Sequence, residues 1–431
     1  MKHTILGVMV GLALGTTAVV LFANVVGFAQ SAAPRPTPPQ MVPIAIKAGR
    51  VLEATTGTYL MQQLIWIEGD RIKQVGSAAD IAPQLPRATR IIDLTSATVL
   101  PGLIDCHTHL TVSPETAART AAAASGPSKM DPTIPRAALL GVRNARITLE
   151  AGFTTVRDLG APGYADLALR DAINGGDIPG PRILAAGRAL TGIGGGEVVA
   201  IVHENIQYGA DVIKFFATGG VLLRNDTAAE PYKPEEMREI VGAAHEAGRK
   251  VATHAHGTAG IKDAVLAGAD SVEHGSGINE EIIGLMKTRG TYLVPTVYIG
   301  DWFIENYKAL GLPENALANV RQTAPARREN LARAIREGVK IALGSDSGTF
   351  PHGLNARELV AMVRLGMAPL QAIQAATVNA ADLLGWSDRV GSLEPGKWAD
   401  LIAVDGDPLV NVETLEHVAF VMKGGKVVKP R

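Results

Sequence analysis

Pro101-Gly-Leu-Ile-Asp-Cys-His-Thr-His109 carries an apolar run into two histidines separated by one residue. Four further segments change character in the same way: Val212-Ile-Lys-Phe-Phe-Ala-Thr-Gly-Gly220, Thr253-His-Ala-His-Gly257, Val272-Glu-His-Gly275 and Gly344-Ser-Asp-Ser-Gly348. Between them they hold His107, His109, Lys214, His254, His274 and Asp346. Ligands so far apart in sequence can meet only where a fold brings many strand ends to one face. The expected fold class is therefore α/β, a (β/α)8 TIM barrel, whose sites lie at the carboxyl ends of its strands.

Working outward, the centre of the chain alternates strand and helix patterns. Expected barrel strands are Leu103 to Cys106, Phe153 to Arg157, Arg182 to Ala186, Val212 to Phe216, Lys250 to Thr253, Ser271 to Glu273, Tyr292 to Thr296 and Lys340 to Leu343. Amphipathic stretches such as Lys233 to Ala247 and Gly260 to Ala267 lie between them. Counting His256, five of the ten histidines then stand at strand ends on one face.

Two strand-rich flanks enclose this centre. Residues 43–100 read as short alternating strands with a hairpin turn at Glu68-Gly-Asp70. Residues 390–431 repeat the style with a turn at Gly424-Gly425. Together they are expected to build a small β-sandwich around the barrel of residues 101–389. Lys2 and His3 precede an uncharged stretch from Ile5 to Phe28, and small residues follow, so residues 1–30 are expected to be a secretory signal peptide rather than an uncleaved anchor. Residues 31–42 form a proline-rich linker. The mature protein is accordingly expected to be secreted or periplasmic. Its one cysteine, Cys106, can form no internal disulfide and reads as a buried core residue.

Composition narrows the function classes. The 41 basic and 42 acidic residues leave a net charge of −1, with no basic stripe or aromatic platform for nucleic acid and no broad attraction to anionic lipid. The 47% hydrophobic content is enough for a sizeable core. Neutral imidazoles two apart on an extended segment point the same way, so His107 and His109 can grip one divalent ion. His254 and His274 can hold a second, with the Asp346 carboxylate near both. Lys214 is out of place among cations as an ammonium. Condensed with carbon dioxide it becomes a carbamate whose two oxygens can bridge two ions; otherwise its stem packs in the barrel and its head pairs with Asp346.

The five quoted segments resemble the amidohydrolase superfamily, in the branch of imidazolonepropionase-related Xaa-Pro dipeptidases, metallo-carboxypeptidases and ochratoxin-hydrolysing amidases. The likeness runs from about residue 43 to the end and includes Gly391-Ser-Leu-Glu-Pro-Gly-Lys-Trp-Ala-Asp-Leu401. It implies two divalent ions, zinc being expected, with His107, His109 and Asp346 on one and His254 and His274 on the other. A carboxylated Lys214 and a hydroxide would bridge them, and Asp346 would move the proton to the departing amine. It also implies a homo-oligomer. The expected activity is hydrolysis of the amide in N-acyl amino acids, ochratoxin A among them, or in dipeptides. Cyclic-amide hydrolysis is the enzymatic alternative. A non-catalytic metal- or ligand-binding protein is the other, although such a role would not need the acid/base carboxylate.

Four residues remain as candidates around the centre. His256 should share a face with His254 and is expected either to polarise the carbonyl or contact the substrate, or to support the ligands structurally. Tyr298, Arg224 and His352 are candidate substrate contacts, Arg224 for an anionic group, with packing at the barrel rim the other reading of Tyr298. The long loop from Thr111 to Arg136 is expected to act as a lid. In Thr191-Gly-Ile-Gly-Gly-Gly-Glu197 there is no histidine where relatives often carry one.

Overall fold

The computed structural model describes residues 42–117, 133–192, 198–220, 230–310 and 314–431. The leader and linker, Arg224, most of the expected lid and most of the Gly192–Gly196 loop fall outside these residues. Among the described residues, no helix is long and apolar enough to cross a membrane.

Residues of the two flanks share one seven-stranded sheet. Its strands are β1 (Ile44–Glu53), β2 (Thr58–Glu68), β3 (Arg71–Ser77), β4 (Arg90–Pro101), β12 (Leu401–Val404), β13 (Val418–Lys423) and β14 (Lys426–Lys429). They run in the order β14-β13-β12-β4-β1-β2-β3. The hairpins turn at Gly69 and at Gly424-Gly425, all three with positive φ. The β1–β4 pair is parallel and shifts register between Ala48 and Arg50. Gly49 permits this close approach, since a Cβ there would stand 1.9 Å from the Thr95 carbonyl oxygen. The apolar side chains of the sheet, including Ile46, Ile65, Val99, Leu401 and Phe420, form their own cluster. The described pairing is thus a single mixed sheet drawn from both ends of the chain.

The centre supplies parallel strands in two sets. β5 (Leu103–Thr108), β6 (Phe153–Asp158) and β7 (Arg182–Ala185) form one sheet, in that order. β8 (Val212–Phe216), β9 (Lys250–Ala255), β10 (Ser271–His274) and β11 (Tyr292–Val294) form the other. Helices follow most of these strands. In Pro234–Glu246 the buried residues Met237, Ile240, Val241 and Ala244 fall on one stripe, and Pro234 opens the helix where no intrahelical N–H is needed.

Hydrogen bonds link the two parallel sheets at both margins. On one side Leu190 N donates to Lys214 O (2.9 Å) and Phe216 N to Leu190 O (2.9 Å). On the other, Leu293 N donates to Lys340 O (2.8 Å), and Cys106 N donates to Leu343 O (2.8 Å). The expected eighth strand, Lys340 to Leu343, is therefore an extended segment with a single bridge from Ile341 to Leu293 rather than a ladder. Its polar groups are divided among β5, β11 and a helix end, because Leu343 N donates to Ala375 O (2.8 Å). The expected seventh strand also shortens, ending at Val294. Pro295 has no N–H to give, and Thr296 turns away with φ 46°.

One ion pair ties the seven-stranded sheet to the parallel centre. Asp400, just ahead of β12, accepts from Arg182 Nε (2.9 Å) and Nη2 (3.1 Å) and from Gly424 N (2.7 Å). The guanidinium also lies over the Trp398 ring, 3.8 Å from its centroid. Removing one partner of a largely buried pair strands the other charge. Asp400→Ala is expected to lower the unfolding free energy by about 3 kcal/mol, read from urea denaturation. A loss under about 0.5 kcal/mol would mean the sheet docks without this pair.

Candidate metal centre

In β5 the side chains alternate. Ile104 and Cys106 join an apolar cluster, while Asp105 and His107 take the opposite side. The buried Asp105 carboxylate accepts from His107 N (3.1 Å), Ser345 N (3.0 Å), Ser345 Oγ (2.5 Å) and Asn355 Nδ2 (2.8 Å). It thereby fixes the segment bearing Asp346 against β5. Gly344 allows the contact, since a Cβ there would stand 2.7 Å from His107 Cβ and 2.2 Å from Val294 Cγ1. Burial holds Asp105 up at about 6 in spite of its four donors.

Each site imidazole is held from behind. His107 Nδ1 donates to Glu273 Oε2 (2.9 Å), and that carboxylate accepts in turn from Arg157 Nη2 (2.8 Å) and Ser271 Oγ (2.5 Å). His109 Nδ1 donates to Gly160 O (3.2 Å). His274 Nδ1 pairs with Thr296 Oγ1 (2.7 Å) and His256 Nδ1 with Ser276 Oγ (2.7 Å). His254 bonds the backbone of Gly219 and keeps a buried Nε2 with no partner. In every case Nε2 is the nitrogen left for the centre.

The rings converge. His254 and His274 have centroids 4.4 Å apart, His254 and His256 4.7 Å, and His256 and His274 4.8 Å. Asp346 Oδ1 lies 3.6 Å from His107 Nε2 and 3.5 Å from His109 Nε2. Two sets of donor atoms, from His107, His274 and Asp346 and from His254, His256 and His274, each fall within 4.8 Å of one another. His256, assigned from sequence to the substrate, thus sits inside the histidine cluster itself. Burial keeps all five imidazoles uncharged near neutral pH. It depresses His109 to about 4 and His256 to about 3, and it pushes His107, His254 and His274 well below the ordinary histidine value. Neutral imidazoles such as His107, His109, His254 and His274, each able to offer an Nε2 lone pair, are the donor set a divalent metal requires.

Lys214 projects from the middle of β8 and is 1% exposed. Burial lowers its amine to about 8, against the upward pull of Glu273 and Asp346. The alternative in which its head pairs with Asp346 is not what is seen: the nitrogens facing the Asp346 carboxylate are the neutral imidazoles of His107 and His109. Burial raises Asp346 to about 7, while the Lys214 charge works the other way. Of the five non-glycine residues with positive φ among those described, three lie at this centre: His274 (72°), Thr296 (46°) and Asp346 (63°). Strained backbone of this kind persists where surrounding contacts over-determine it.

The remaining candidates are dispersed. Tyr298 is buried, but its hydroxyl accepts from Arg357 Nη1 (2.7 Å), and it lines a cavity of about 520 Å³ with Asp301, Arg328, Arg357 and Glu416 rather than with the histidines. His352 bonds Thr148 Oγ1 through Nδ1 (3.1 Å), and its Nε2 is buried without a partner. Arg224 lies outside the described residues. Sequence reasoning passed over Asp105, Glu273, Arg157 and Thr296. Asp105 and Glu273 stand inside the quoted segments, and Arg157 is a charge closing an apolar strand. Nothing local distinguishes Thr296.

Residues 98–429 match the sequence model of the amidohydrolase family. The chain is 32% identical to ochratoxinase of Aspergillus niger over 417 residues, covering 86% of this chain and 84% of that protein. It is 28% identical to imidazolonepropionase of Bdellovibrio bacteriovorus over 402 residues, covering 84% and 87%. A solved Xaa-Pro dipeptidase with methionine bound in its active site aligns with a TM-score of 0.80 and 35% identity, over 89% of this chain and 99% of that one. The histidine clusters could bind metal, as members of this family generally do. The chain belongs to the amidohydrolase family and is a hydrolase acting on amide bonds.

Proposed function

We propose that the chain is an exported, binuclear metal-dependent amidohydrolase, built on a (β/α)8 barrel, that cleaves the amide between an acyl group and a terminal amino acid. Hydrogen bonding at both margins of the parallel sheets supports the barrel. The observation that carries the site is the common orientation of its imidazoles: four of the five are bonded through Nδ1, and the fifth, His254, has a buried Nε2 with nothing to accept or donate. A buried polar nitrogen without a partner is costly, and a metal ion removes that cost.

His107, His109 and Asp346 would hold one ion and His254 and His274 the other, with Lys214 between them as a carbamate. Zinc suits a donor set of imidazole and carboxylate. Two such ions would supply an acidified water and a Lewis acid for the scissile carbonyl. Forming the carbamate joins the free Lys214 amine to carbon dioxide with loss of one proton, and an amine held at about 8 has free base available near neutral pH.

The chain's own residues complete the reaction. Asp346 takes a proton from the attacking water and delivers it to the leaving nitrogen as the carbon–nitrogen bond breaks. An amide needs that delivery, because an amide anion leaves poorly. His256 stays neutral, so with Ser276 donating to its Nδ1 its Nε2–H faces the carbonyl oxygen. The names of the relatives, ochratoxinase and Xaa-Pro dipeptidase, direct the substrate class toward N-acyl amino acids and dipeptides.

A panel of N-acyl amino acids, Xaa-Pro dipeptides and cyclic amides, offered to zinc-loaded enzyme, is expected to release free amino acids from linear substrates; ring opening alone would sink the proposal. Asp346→Asn should lose about 10²- to 10⁴-fold in kcat with two metal equivalents retained by elemental analysis. Glu273→Gln unpairs Arg157 and loosens His107, so its metal affinity, measured by chelator competition, should fall about 10- to 100-fold. Protein equilibrated with ¹³C-bicarbonate should show one carbamate resonance that Lys214→Met abolishes.

A further inference from the structure

Helix Glu314–Arg336 sends two side chains, three residues apart, toward the histidine cluster. Asn330 Nδ2 donates to Ser276 O (3.0 Å), and Ser276 Oγ holds His256. Arg327 Nη2 donates to Thr296 O (2.7 Å), Pro295 O (3.1 Å) and Thr296 Oγ1 (3.2 Å), and that hydroxyl holds His274. The Arg327 guanidinium is thus one side chain removed from His274. Its positive charge reaches both His256 and Asp346.

Most of this guanidinium is unspent. Arg327 Nε is buried and has no hydrogen-bond partner. Nη1 lies 3.6 Å from where a Cβ on Gly300 would stand, so the glycine leaves room beside it. Nearby carboxylates are committed elsewhere: Asp301 to Arg328, Glu358 to Val297 N (2.7 Å) and Tyr298 N (2.8 Å), and Asp346 to the histidines. Among the described residues none is within ion-pair distance of Arg327. A largely desolvated cation with open donors and no counterion, at the edge of a hydrolytic centre, is a place for an anion.

We infer that Arg327 binds the free carboxylate of the amino-acid half of the substrate and so restricts the enzyme to acids over the corresponding carboxamides. This rests on the proposed amide-hydrolysing reading, and it assigns the anionic contact to the helix in place of Arg224. The acyl group then lies on the far side of the scissile bond, where no charge is required.

The test uses metal-loaded full-length protein and two matched ligands, N-acetyl-phenylalanine and N-acetyl-phenylalaninamide, which share the scissile bond and differ only in the carboxylate. Calorimetric binding and turnover are both measured for wild type, Arg327→Met, Arg327→Lys and Arg224→Met. Wild type should favour the acid, and Arg327→Met should lower the preference for acid over carboxamide, in binding and in KM, by roughly 10- to 150-fold beyond any loss common to both ligands through Thr296 and His274. Arg327→Lys should recover part of the preference. Lost acid binding in Arg327→Met supports the anchor even where no ligand is turned over, an outcome that counts against the amidase reading alone. Equal losses for both ligands would assign Arg327 only to holding Thr296 and His274. That result, unchanged acid binding in Arg327→Met, or loss confined to Arg224→Met would each overturn the inference.

Discussion

Glu273 is the buried anion on which the site depends. One of its oxygens accepts from His107 and the other from Arg157 and Ser271, and Arg157 Nε also donates to Cys106 O (2.6 Å), the carbonyl just before His107. A single carboxylate thus sets the tautomer of an imidazole, neutralises a fully buried guanidinium and joins β10 to β5 and β6. Each partner alone would be a costly buried group; together they are satisfied. Burial is what pushes the Lys214 amine down; Glu273 and Asp346 pull it up, and the Arg157 guanidinium held by Glu273 adds to the lowering.

The second constraint is the short turn after β11. Pro295 ends the strand, Thr296 occupies the left-handed region that a β-branched residue rarely enters, and Glu358 accepts the next two backbone N–H groups. The strained threonine places its hydroxyl on His274, itself at positive φ. Strain is concentrated where strand geometry must be broken to aim side chains at one point, and it is offset by the buried hydrogen bonds of Glu358 and Arg327.

These two groupings mark what could be read from the chain and what could not. Strand-end histidines were legible because an apolar run, a histidine and a glycine are contiguous, and the strand pattern fixes which face each side chain takes. Glu273 and Asp105 were within sight, since they flank the histidines in the same segments. Arg327 was not: in Ala326-Arg-Arg-Glu329 nothing local tells which arginine turns inward, and its partners lie 31 and 32 residues away. Tyr298 misled for the converse reason. It follows the seventh strand closely in sequence, but the turn at Thr296 starts a helix there and directs the hydroxyl to Arg357. The eighth strand was visible as an apolar segment, whereas the splitting of its hydrogen bonds among three partners was not.

The choice of lysine in β8 follows from charge. The five imidazoles at this centre are neutral, so they bring no charge to it. Among the described residues Asp346 is the one carboxylate that reaches His107 and His109 on the open side, since Glu273 and Asp105 are spent behind the ring plane and on the backbone. A second aspartate or glutamate in place of Lys214 would bring two buried carboxylates together and drive one of them to protonate. A lysine avoids that conflict while the protein folds without metal, because as an ammonium or a neutral amine it is compatible with Asp346. On the proposed reading, reaction with carbon dioxide then changes the same side chain from +1 to −1. A centre that would repel cations becomes one that attracts them, and the change is confined to the atom farthest from the strand that positions it.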